Sequence, residues 1–561
     1  MEAESPLEQS LQTVGMFGRA QFIIILVGVI VQIYIGWPSI VSVFVAIDVD
    51  FQCVNDTLDD ANITKFDNEC VNGCEYYVYR STPSSMVSDF DLACGNGPTL
   101  VSTANSAFWA GFMLSCLFMG TLADMFGRRT VSLFTCFIYC IASSLLPFIQ
   151  NIYEFIAMRF VCGMFHYPLT CVVFILVAEW VDKEKFGKIG MSTAVVFGLG
   201  EALAALMGYL LRDSWRIQLG AMTCFLVLVL ILIFFFLPES AKWLYQTGHI
   251  HECEKVMRKV SRINGTNFHG MIHSETNSDH RPITNGSQHD SSADEMSNIF
   301  VSRSEPSSPV SYHYDASEKL IPTLDPQVIK ASTTIEEKEK PNVKALFGTR
   351  SSCFLMLTNL FTFFSSCMVY FGLAFGVSSI SGNIYFNSAL LALVELPAWF
   401  VVLSMDYVGR KPTLLFCLLV CSIACTCIPI TNQYVPSLSI VIAMVGKLLA
   451  TGAFDLLFVY IPEQSPTVLR TTGLSICSGA ARIGTIIGPY VIQAGSISDY
   501  IPYGFFALCG YISFVLCVFF QVETLNRGMP QTIEQYYLLV QNKRRLRIEE
   551  PTSDDDCDRD I

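Results

Sequence analysis

Long apolar runs, separated by short polar segments, follow one another along most of the chain. Two of them, "QFIIILVGVIVQIYIGWPSIVSVFVA" (21–46) and "LGAMTCFLVLVLILIFFFL" (219–237), are long enough to cross a bilayer as a helix, which takes roughly 20 apolar residues. A helix satisfies its own backbone hydrogen bonds, so it is the expected structure for such a run in lipid. The pattern predicts twelve membrane-spanning helices, at about 21–45, 99–122, 130–149, 153–178, 189–211, 218–237, 353–377, 384–406, 412–430, 437–460, 471–492 and 501–521.

The composition agrees with a polytopic membrane protein. Of the 561 residues, 52% are hydrophobic and only 15% are charged, whereas soluble domains carry charge on about a quarter of their residues. The net charge of −14 lies largely in the acidic tail and the aqueous loops and indicates solvation. No cleavable signal peptide is expected, because the N-terminus "MEAESPLEQS" is polar and acidic and the first apolar run is too long.

Basic residues in the short loops set the orientation. Only Arg212 and Arg216 lie in short loops on one side. The loops after even-numbered helices carry Arg128, Arg129, Lys183, Lys185, Lys188, Arg410, Lys411 and Arg470. The positive-inside rule then places both termini in the cytoplasm and residues 46–98 outside.

The contents of the loop 46–98 fit an extracellular position. Asn55-Asp56-Thr57 and Asn62-Ile63-Thr64 are acceptor patterns for glycosylation, which occurs in the secretory pathway. The loop also holds an even set of candidate disulfide cysteines: Cys53, Cys70, Cys74 and Cys94. Four cysteines allow three pairings, and the sequence leaves all three open.

A long polar stretch divides the predicted helices six and six. Its middle, residues 274–319, is too polar to bury a core, which predicts disorder and leaves room for regulatory partners. The predicted organisation is a cytoplasmic N-terminus (1–20), a first bundle (21–238), a cytoplasmic linker (239–351), a second bundle (352–522) and a cytoplasmic tail (523–561).

Three pairs of landmarks recur at nearly one spacing in the two halves. "DMFGRR" and "DYVGRK" place Gly127 and Gly409 at 282 residues apart. The pairs Glu179 and Glu463, and Glu239 and Glu523, are each 284 residues apart. Such a repeat predicts an all-α fold of two pseudo-symmetric six-helix bundles, with a substrate site between them near the bilayer midplane.

The repeated loops contain charges that we expect to act as a latch on the cytoplasmic face. Carboxylates and guanidinium groups there can bridge helix ends across the seam between the bundles and must separate when that face opens. The residues assigned to the latch are Asp124, Arg128, Arg129, Glu179, Glu239, Asp406, Arg410, Glu463 and Arg470. The alternative is positive-inside anchoring with a tight turn, and for Arg129 alone it is the preferred interpretation.

Those loops also carry a family resemblance. "GTLADMFGRR" (120–129), with its repeat "DYVGRK", resembles the signature loop of the major facilitator superfamily. Within that superfamily the chain resembles solute carrier family 22, the organic cation, zwitterion and anion transporters. The motifs concerned are "GRAQ" (18–21), "SDFDLAC" (88–94), "AEW" (178–180), "PESAKWL" (238–244), "YIPEQSPTVLRTTGL" (460–474) and "ETLNRGMPQTIE" (523–534). The resemblance implies the major facilitator fold and transport of small organic ions. One departure is Phe186, where the family has a latch arginine, with Lys185 beside it.

Ionisable groups inside the predicted helices are costly in lipid and usually face a cavity or a partner. Arg482 could hold a carboxylate, or it could form an internal ion pair with Glu395 or Asp455. Glu201 could attract a cation or exchange a proton, or it could be a buried partner of Arg159 or Lys447. Asp455 is a candidate for cation preference, with a structural pair to Lys447 as its alternative.

Aromatic residues complete the predicted site. The resemblance implies a basic residue in anion carriers at the position of Trp399, and an aromatic ring there could instead stack on an onium group. Tyr370 and Tyr385 are predicted contacts because they match family motifs and carry a hydroxyl. The predicted substrate-binding set is Arg482, Glu201, Asp455, Glu395, Tyr370, Tyr385 and Trp399.

Together these features predict a secondary transporter and not an enzyme. The sequence has no phosphate-binding loop, no nucleophile–base motif and no metal-ligand cluster, so no cofactor, metal or nucleic-acid partner is expected. The expected cargo, carried across the plasma membrane by alternating access, is a small organic cation or zwitterion such as a carnitine-like onium compound. The alternatives are an organic anion exchanger, a sugar porter, and a sensor or scaffold that does not transport.

Overall fold

The structure, a computed structural model, describes residues 6–15, 18–54, 66–71, 74, 76–181, 183–266, 268, 270, 343–380, 382–466 and 469–541. At residues 6, 8, 9, 183–195, 379 and 471 it describes the backbone alone. The predicted glycosylation sites Asn55 and Asn62, the middle of the linker and the end of the tail lie outside the described residues.

Helices account for nearly all of the described chain, as the apolar runs predict. The spans of the first half are Arg19–Val45, Gly97–Cys116 continued by Met119–Phe126, Arg128–Leu145, Ile152–Glu179, Lys183–Leu210 and Trp215–Phe236. The spans of the second half are Arg350–Phe375, Ile384–Leu393 continued by Glu395–Val408, Arg410–Tyr434, Pro436–Gln464, Arg470–Gln493 and Tyr500–Phe520. We number them as the first to the twelfth span.

Among the described residues, ten of these helices are long and apolar enough to cross a membrane. The second span is an eleventh if its two helices, bent by 46°, are counted as one span. The fifth span, Lys183–Leu210, has an apolar part described at Val196–Leu210. The predicted all-α membrane fold is confirmed. The predicted ends agree to within a few residues. Hydrophobicity did not predict the break in the second span between Cys116 and Met119 or the break in the eighth between Leu393 and Glu395.

Short elements cover the two faces of the bundle. They are the helices Pro6–Val14, Met86–Asp89, Ala241–Gln246, Ile250–Asn264 and Ile533–Gln541, with single 3-10 turns at Leu146–Phe148, Val343–Phe347, Gly376–Ser379 and Ala494–Ser496. The amphipathic helix Pro6–Val14 packs on Ile250–Asn264. Asn264 ties the two together, because its side-chain amide donates to the Val14 carbonyl at 3.0 Å and accepts from the Ala20 N–H at 2.8 Å.

The loop between the first and second spans contains a two-stranded antiparallel sheet, Phe51–Val54 with Tyr76–Tyr79. Two disulfides close it, one joining Cys53 to Cys74 and the other joining Cys70 to Cys94. The four cysteines therefore form two bridges, and the structure selects one of the three pairings that the sequence allows.

Disulfide mapping tests this pairing. Digestion without reduction should give peptides linked between residues 53 and 74 and between residues 70 and 94. Replacing both Cys70 and Cys94 by serine should lower stability by about 2–4 kcal/mol, since a bridge constrains the unfolded loop. Peptides linked between residues 53 and 70 would contradict the assignment.

The internal repeat is visible at the start of the third and ninth spans. Gly127 and Gly409 precede these helices with φ of 94° and 114°, a conformation that favours glycine. Glu239 accepts hydrogen bonds from the Arg129 N–H at 3.0 and 3.2 Å. Glu523 accepts at 3.0 Å from the N–H groups of Arg410 and Lys411. In each half a carboxylate at the end of the bundle's last span thus caps the positive end of its third helix.

Removing one of these caps should destabilise one half. Glu523→Ala is expected to cost about 1–2 kcal/mol, the loss of a charged helix cap, seen as a lower apparent melting temperature of the purified protein. Glu69→Ala, at an exposed acidic position outside the helices, is the matched control and should leave the melting temperature unchanged. Equal melting temperatures for the two variants would show that the cap contributes nothing.

Candidate functional site

A cluster of buried charges lies where the fifth span meets the seventh, eighth and tenth. Lys447 Nζ is 3.0 Å from Glu395 Oε1 and 3.6 Å from Glu201 Oε2, and each of these side chains is at most 2% exposed. Tyr370 donates its hydroxyl to Glu395 Oε1 at 2.6 Å and lies 3.3 Å from Glu201 Oε1. Lys447 Nζ also lies 3.4 Å from the centroid of the Tyr370 ring. We call Glu201, Tyr370, Glu395 and Lys447 the charged cluster.

A small residue on the fifth span places Glu201 in this cluster. A Cβ atom at Gly198 would lie 2.9 Å from the Ala392 carbonyl oxygen and 3.0 Å from the Glu395 side chain. Glycine therefore permits the fifth span to approach the eighth closely. Glu201 follows one turn later on the same span and is brought beside Glu395 and Lys447.

The cluster decides between the alternatives for Glu201. Of its two candidate partners, Lys447 is the one that it contacts, whereas Arg159 is buried with its guanidinium carbon 4.6 Å from the Phe108 ring centroid. The alternative pair between Lys447 and Asp455 is wrong, because Lys447 binds the two glutamates. Asp455, on the tenth span near Glu395, forms no ion pair or hydrogen bond with the described residues.

Arg482 on the eleventh span has a different environment. Its guanidinium carbon lies 4.5 Å from the centroid of the Phe112 ring and 5.8 Å from that of Trp109. The side chain is half-buried, its Nε has no hydrogen-bond partner, and it forms no ion pair with any described carboxylate. The expected alternative, a pair with Glu395 or Asp455, is therefore wrong in this conformation.

Aromatic rings connect Arg482 with the charged cluster. The Trp109 ring lies 4.5 Å from Phe371, and Phe371 lies 4.8 Å from Tyr370. Trp109 and Phe112 on the second span were missed in the sequence-based site. The sequence feature that could have identified them is the cluster of aromatic residues "FWAGF" (108–112), on a span that lies at the seam.

The other predicted aromatic contacts lie elsewhere. Tyr385, at the start of the eighth span, stacks on Phe44 at 5.8 Å and meets the Tyr209 ring edge-on. Trp399 packs against Phe400, and its indole N–H has no hydrogen-bond partner in the described structure. Of the three predicted aromatic contacts, only Tyr370 joins the charged cluster.

The loops after the second and eighth spans form the same ion-pair triad in each half. Arg128 lies 3.2 Å from both Asp124 and Glu179. Arg410 lies 3.0 Å from Asp406 and 3.1 Å from Glu463.

These triads join helices of one half, so the expectation that they bridge the seam is wrong for this conformation. In the first half, the tight turn after the second span directs Arg128 to the end of the fourth span. In the second half, the turn after the eighth span directs Arg410 to the end of the tenth. The side chain of Arg129 donates to the Phe234 carbonyl at 2.8 Å, and Arg470 is half-buried at the start of the eleventh span. A latch role for these residues stays a prediction.

The seam between the halves is closed on the side of the loop 46–98. Four hydrogen bonds join the first turns of the second span to the last turns of the eleventh. They are Ser102 Oγ to the Pro489 carbonyl at 3.3 Å, Ser106 Oγ to the Ile486 carbonyl at 2.7 Å, Tyr490 to Thr103 at 3.1 Å and Gln493 to Thr99 at 2.8 Å. The ring contacts of Tyr385 close the neighbouring seam between the fifth and eighth spans.

Comparison with known proteins agrees with this architecture. The family described as "Sugar (and other) transporter" matches residues 65–291 and 311–536. Mouse organic anion transporter 3 is 26% identical over 497 residues, covering 86% of this chain and 79% of that protein. Mouse solute carrier family 22 member 21 is 28% identical, covering 87% and 78%. Solute carrier family 22 member 6-A of Xenopus laevis is 29% identical, covering 83% and 74%.

Solved structures support the fold. A partially occluded inward-open structure of the E. coli xylose transporter XylE has a TM-score of 0.57 at 13% identity, covering 90% of this chain and 98% of that one. An inward-open structure of the same transporter has a TM-score of 0.57 at 14% identity, covering 92% and 99%. At this identity the likeness concerns the fold alone.

Proposed function

Because the chain belongs to the sugar (and other) transporter family of the major facilitator superfamily, with relatives in solute carrier family 22, we propose that it carries small zwitterions or cations across the plasma membrane. Organic ion transport is the coarser activity that its relatives share. The proposed carrier alternates between states open to either side, with both termini in the cytoplasm. The lipid bilayer and the small organic ion are its partners.

The observation that carries the proposal is a pair of unmatched opposite charges. Arg482 has no carboxylate partner and Asp455 has no basic partner among the described residues. A charge held in a membrane protein without a counter-charge is costly. A zwitterionic ligand would neutralise both, its carboxylate at Arg482 and its cationic group near Asp455 and Glu395.

The rings between these charges fit an onium group. Trp109, Phe371 and Tyr370 are in successive ring contact between the guanidinium and the carboxylates. A quaternary ammonium is attracted to the faces of such rings by about 0.5–2 kcal/mol each. A dianion would find one basic group at Arg482 and carboxylates beyond it.

An organic anion is the second candidate cargo. Arg482 favours it, and the organic anion transporter 3 of mouse is among the relatives. Under this alternative, loss of Asp455 would leave transport intact, whereas the zwitterion proposal requires Asp455.

An uptake screen tests the proposal. Cells that display the protein at the surface are given labelled L-carnitine, tetraethylammonium, p-aminohippurate or glucose at two membrane potentials. We expect L-carnitine to accumulate above mock-transfected cells with little dependence on potential, since the zwitterion has no net charge. A cation gains roughly 2.3 kcal/mol per 100 mV, so tetraethylammonium uptake should rise at the more negative potential.

Each other result has a definite meaning. Accumulation of p-aminohippurate alone would favour the anion candidate, and accumulation of glucose alone would favour a sugar porter. If no compound accumulates, the carrier proposal fails in favour of a sensor or scaffold.

A further inference from the structure

A second buried charge lies within the first half, apart from the charged cluster. Arg159 on the fourth span is 3% exposed, and its guanidinium carbon lies 4.6 Å from the centroid of the Phe108 ring. Tyr34 and Tyr139 are further neighbours, and no carboxylate of the described residues forms an ion pair with Arg159. A guanidinium group stays protonated in proteins. Arg159 is therefore a positive charge in the protein interior for which the described side chains supply no counter-charge.

A small cavity of about 10 Å³ adjoins Arg159 where the first, second, fourth and sixth spans meet. A volume of this size holds one water-sized particle. The polar residues in its lining are Arg159, Ser42 and Asn105, and the remaining lining residues are apolar. All of them belong to the first half, so the cavity lies within one bundle and not at the seam.

The polar lining offers hydrogen-bond donors and no negative charge. Ser42 Oγ is buried and has no partner in the described structure. A guanidinium group only donates, and the amide of Asn105 and the hydroxyl of Ser42 can each donate. A water molecule would satisfy these donors but leave the charge of Arg159 uncompensated, which is costly away from bulk water. The Phe108 ring attracts the guanidinium without carrying a charge. The chemistry of the lining therefore favours an anion.

Close packing of the second and fourth spans keeps the cavity from collapsing. A Cβ atom at Gly111 would lie 2.0 Å from the Phe160 carbonyl oxygen, and one at Gly163 would lie 1.8 Å from the Phe108 carbonyl oxygen. These glycines let the two backbones touch, and Gly163 lies one turn from Arg159. The separation of the walls is thus set by backbone contacts rather than by side chains that could move into the cavity.

We propose that this cavity is a binding site for one halide ion, chloride under physiological conditions, which neutralises Arg159 and accepts hydrogen bonds from Ser42 and Asn105. A monoatomic anion is the class that fits, because sulfate, phosphate and carboxylates have several heavy atoms and the cavity admits one. The ion is resident: every lining residue moves with the first half, so opening of the seam does not carry the ion across the membrane. The proposal adds an anion site to the carrier and does not depend on which cargo is transported.

Thermal unfolding of the purified full-length protein tests the site without any transport measurement. The protein is exchanged into sodium gluconate, and sodium chloride, bromide or sulfate then replaces gluconate at constant ionic strength. A ligand that binds only the folded state stabilises it by an amount that grows with the logarithm of its concentration above Kd. We expect chloride and bromide to raise the melting temperature, by about 3 °C at a hundredfold excess over Kd, and sulfate to leave it unchanged.

Replacing the buried arginine locates the ion. Arg159→Met fills a similar volume without the charge, so its melting temperature should be the same in chloride and in gluconate. Arg262→Met, at an exposed position on the helix Ile250–Asn264, is the matched control and should retain the chloride response of the wild type.

Ser42→Ala keeps the test decisive if Arg159→Met does not fold. This variant loses one donor, so a given rise in melting temperature should require a roughly tenfold higher chloride concentration. Ser439→Ala removes a hydroxyl on the tenth span that is also buried and without a partner in the described structure. It is the control, and its chloride response should match that of the wild type.

The contrary results are distinct. Equal melting temperatures of the wild type in chloride and in gluconate would overturn the site. An equal rise with sulfate would attribute the effect to general salt exclusion and would overturn it as well. A chloride response that is retained by Arg159→Met, or that is lost in Arg482→Gln instead, would place the ion elsewhere and overturn the assignment to this cavity. None of these results bears on the carrier proposal, which the uptake screen tests separately.

Discussion

Replacing Lys447 by methionine is expected to destabilise the folded protein by about 3–5 kcal/mol, the cost of removing one partner from a buried ion pair. Lys447 is fully buried and its ammonium is the one cation in contact with Glu201 and Glu395 among the described residues. Methionine fills a similar volume but leaves the two carboxyl groups without it. The expected result is a large loss of surface-delivered protein and a lower apparent melting temperature.

Two further variants make this result interpretable. Lys255→Met, at an exposed position on the helix Ile250–Asn264, should behave as the wild type. Adding Glu395→Gln to Lys447→Met should recover part of the loss, because it removes one of the orphaned carboxyl groups. A Lys447→Met protein as stable as the wild type would show that the cluster is not held together as the distances indicate.

Replacing Arg482 by glutamine should reduce L-carnitine uptake about 10- to 150-fold, corresponding to the roughly 1.5–3 kcal/mol of a charged hydrogen bond. The guanidinium lies against Phe112 and Trp109 without an ion pair in the described structure, so its removal breaks no internal salt bridge. Stability should therefore be close to that of the wild type. Tetraethylammonium, which has no carboxylate, should be taken up at a nearly unchanged rate.

The conservative variant separates charge from geometry at this position. Arg482→Lys keeps the charge but loses the planar, bidentate donor, so it should restore L-carnitine uptake only in part. An equal loss of L-carnitine and tetraethylammonium uptake in Arg482→Gln would contradict a role in binding the carboxylate. A large fall in melting temperature would instead identify Arg482 as a structural residue.

The sequence predicted features that depend on local pattern or on repetition. Apolar runs of bilayer length defined the spans, and the recurrence of Gly127 as Gly409 indicated two equivalent halves that the helix caps at Glu239 and Glu523 display. The motif glutamates Glu179 and Glu463 do pair with the loop arginines. These features lie within one half, where chain connectivity limits the choices.

The features that sequence left open depend on how distant segments are placed. Glu201 had two candidate cations in other spans, and the close approach at Gly198 decides for Lys447. Arg482 had two candidate carboxylates, yet its position on the eleventh span turns it toward Phe112 of the second. No residue-type pattern specifies the relative placement of two bundles, so neither outcome could be read from the sequence.

The partners of the loop arginines also depend on how distant segments are placed. The loop arginines Arg128 and Arg410 do form ion pairs, but with carboxylates of their own half and not, as expected, across the seam. In this conformation Arg128 and Arg410 stabilise their own halves, and the contacts between halves are Ser102, Ser106, Tyr490 and Gln493 with their partners. Which pairs form in other states depends on movement that a repeat in sequence does not encode.

Crosslinking the external seam tests the central claim, that the two halves must part there during transport. Thr99 and Gln493, whose side chains are hydrogen-bonded at 2.8 Å, are both replaced by cysteine and joined with a short thiol-specific crosslinker. The account predicts that crosslinking stops L-carnitine uptake, that a reducing agent restores it, and that each single cysteine variant treated alike keeps transporting. Undiminished uptake by the crosslinked double variant would contradict it.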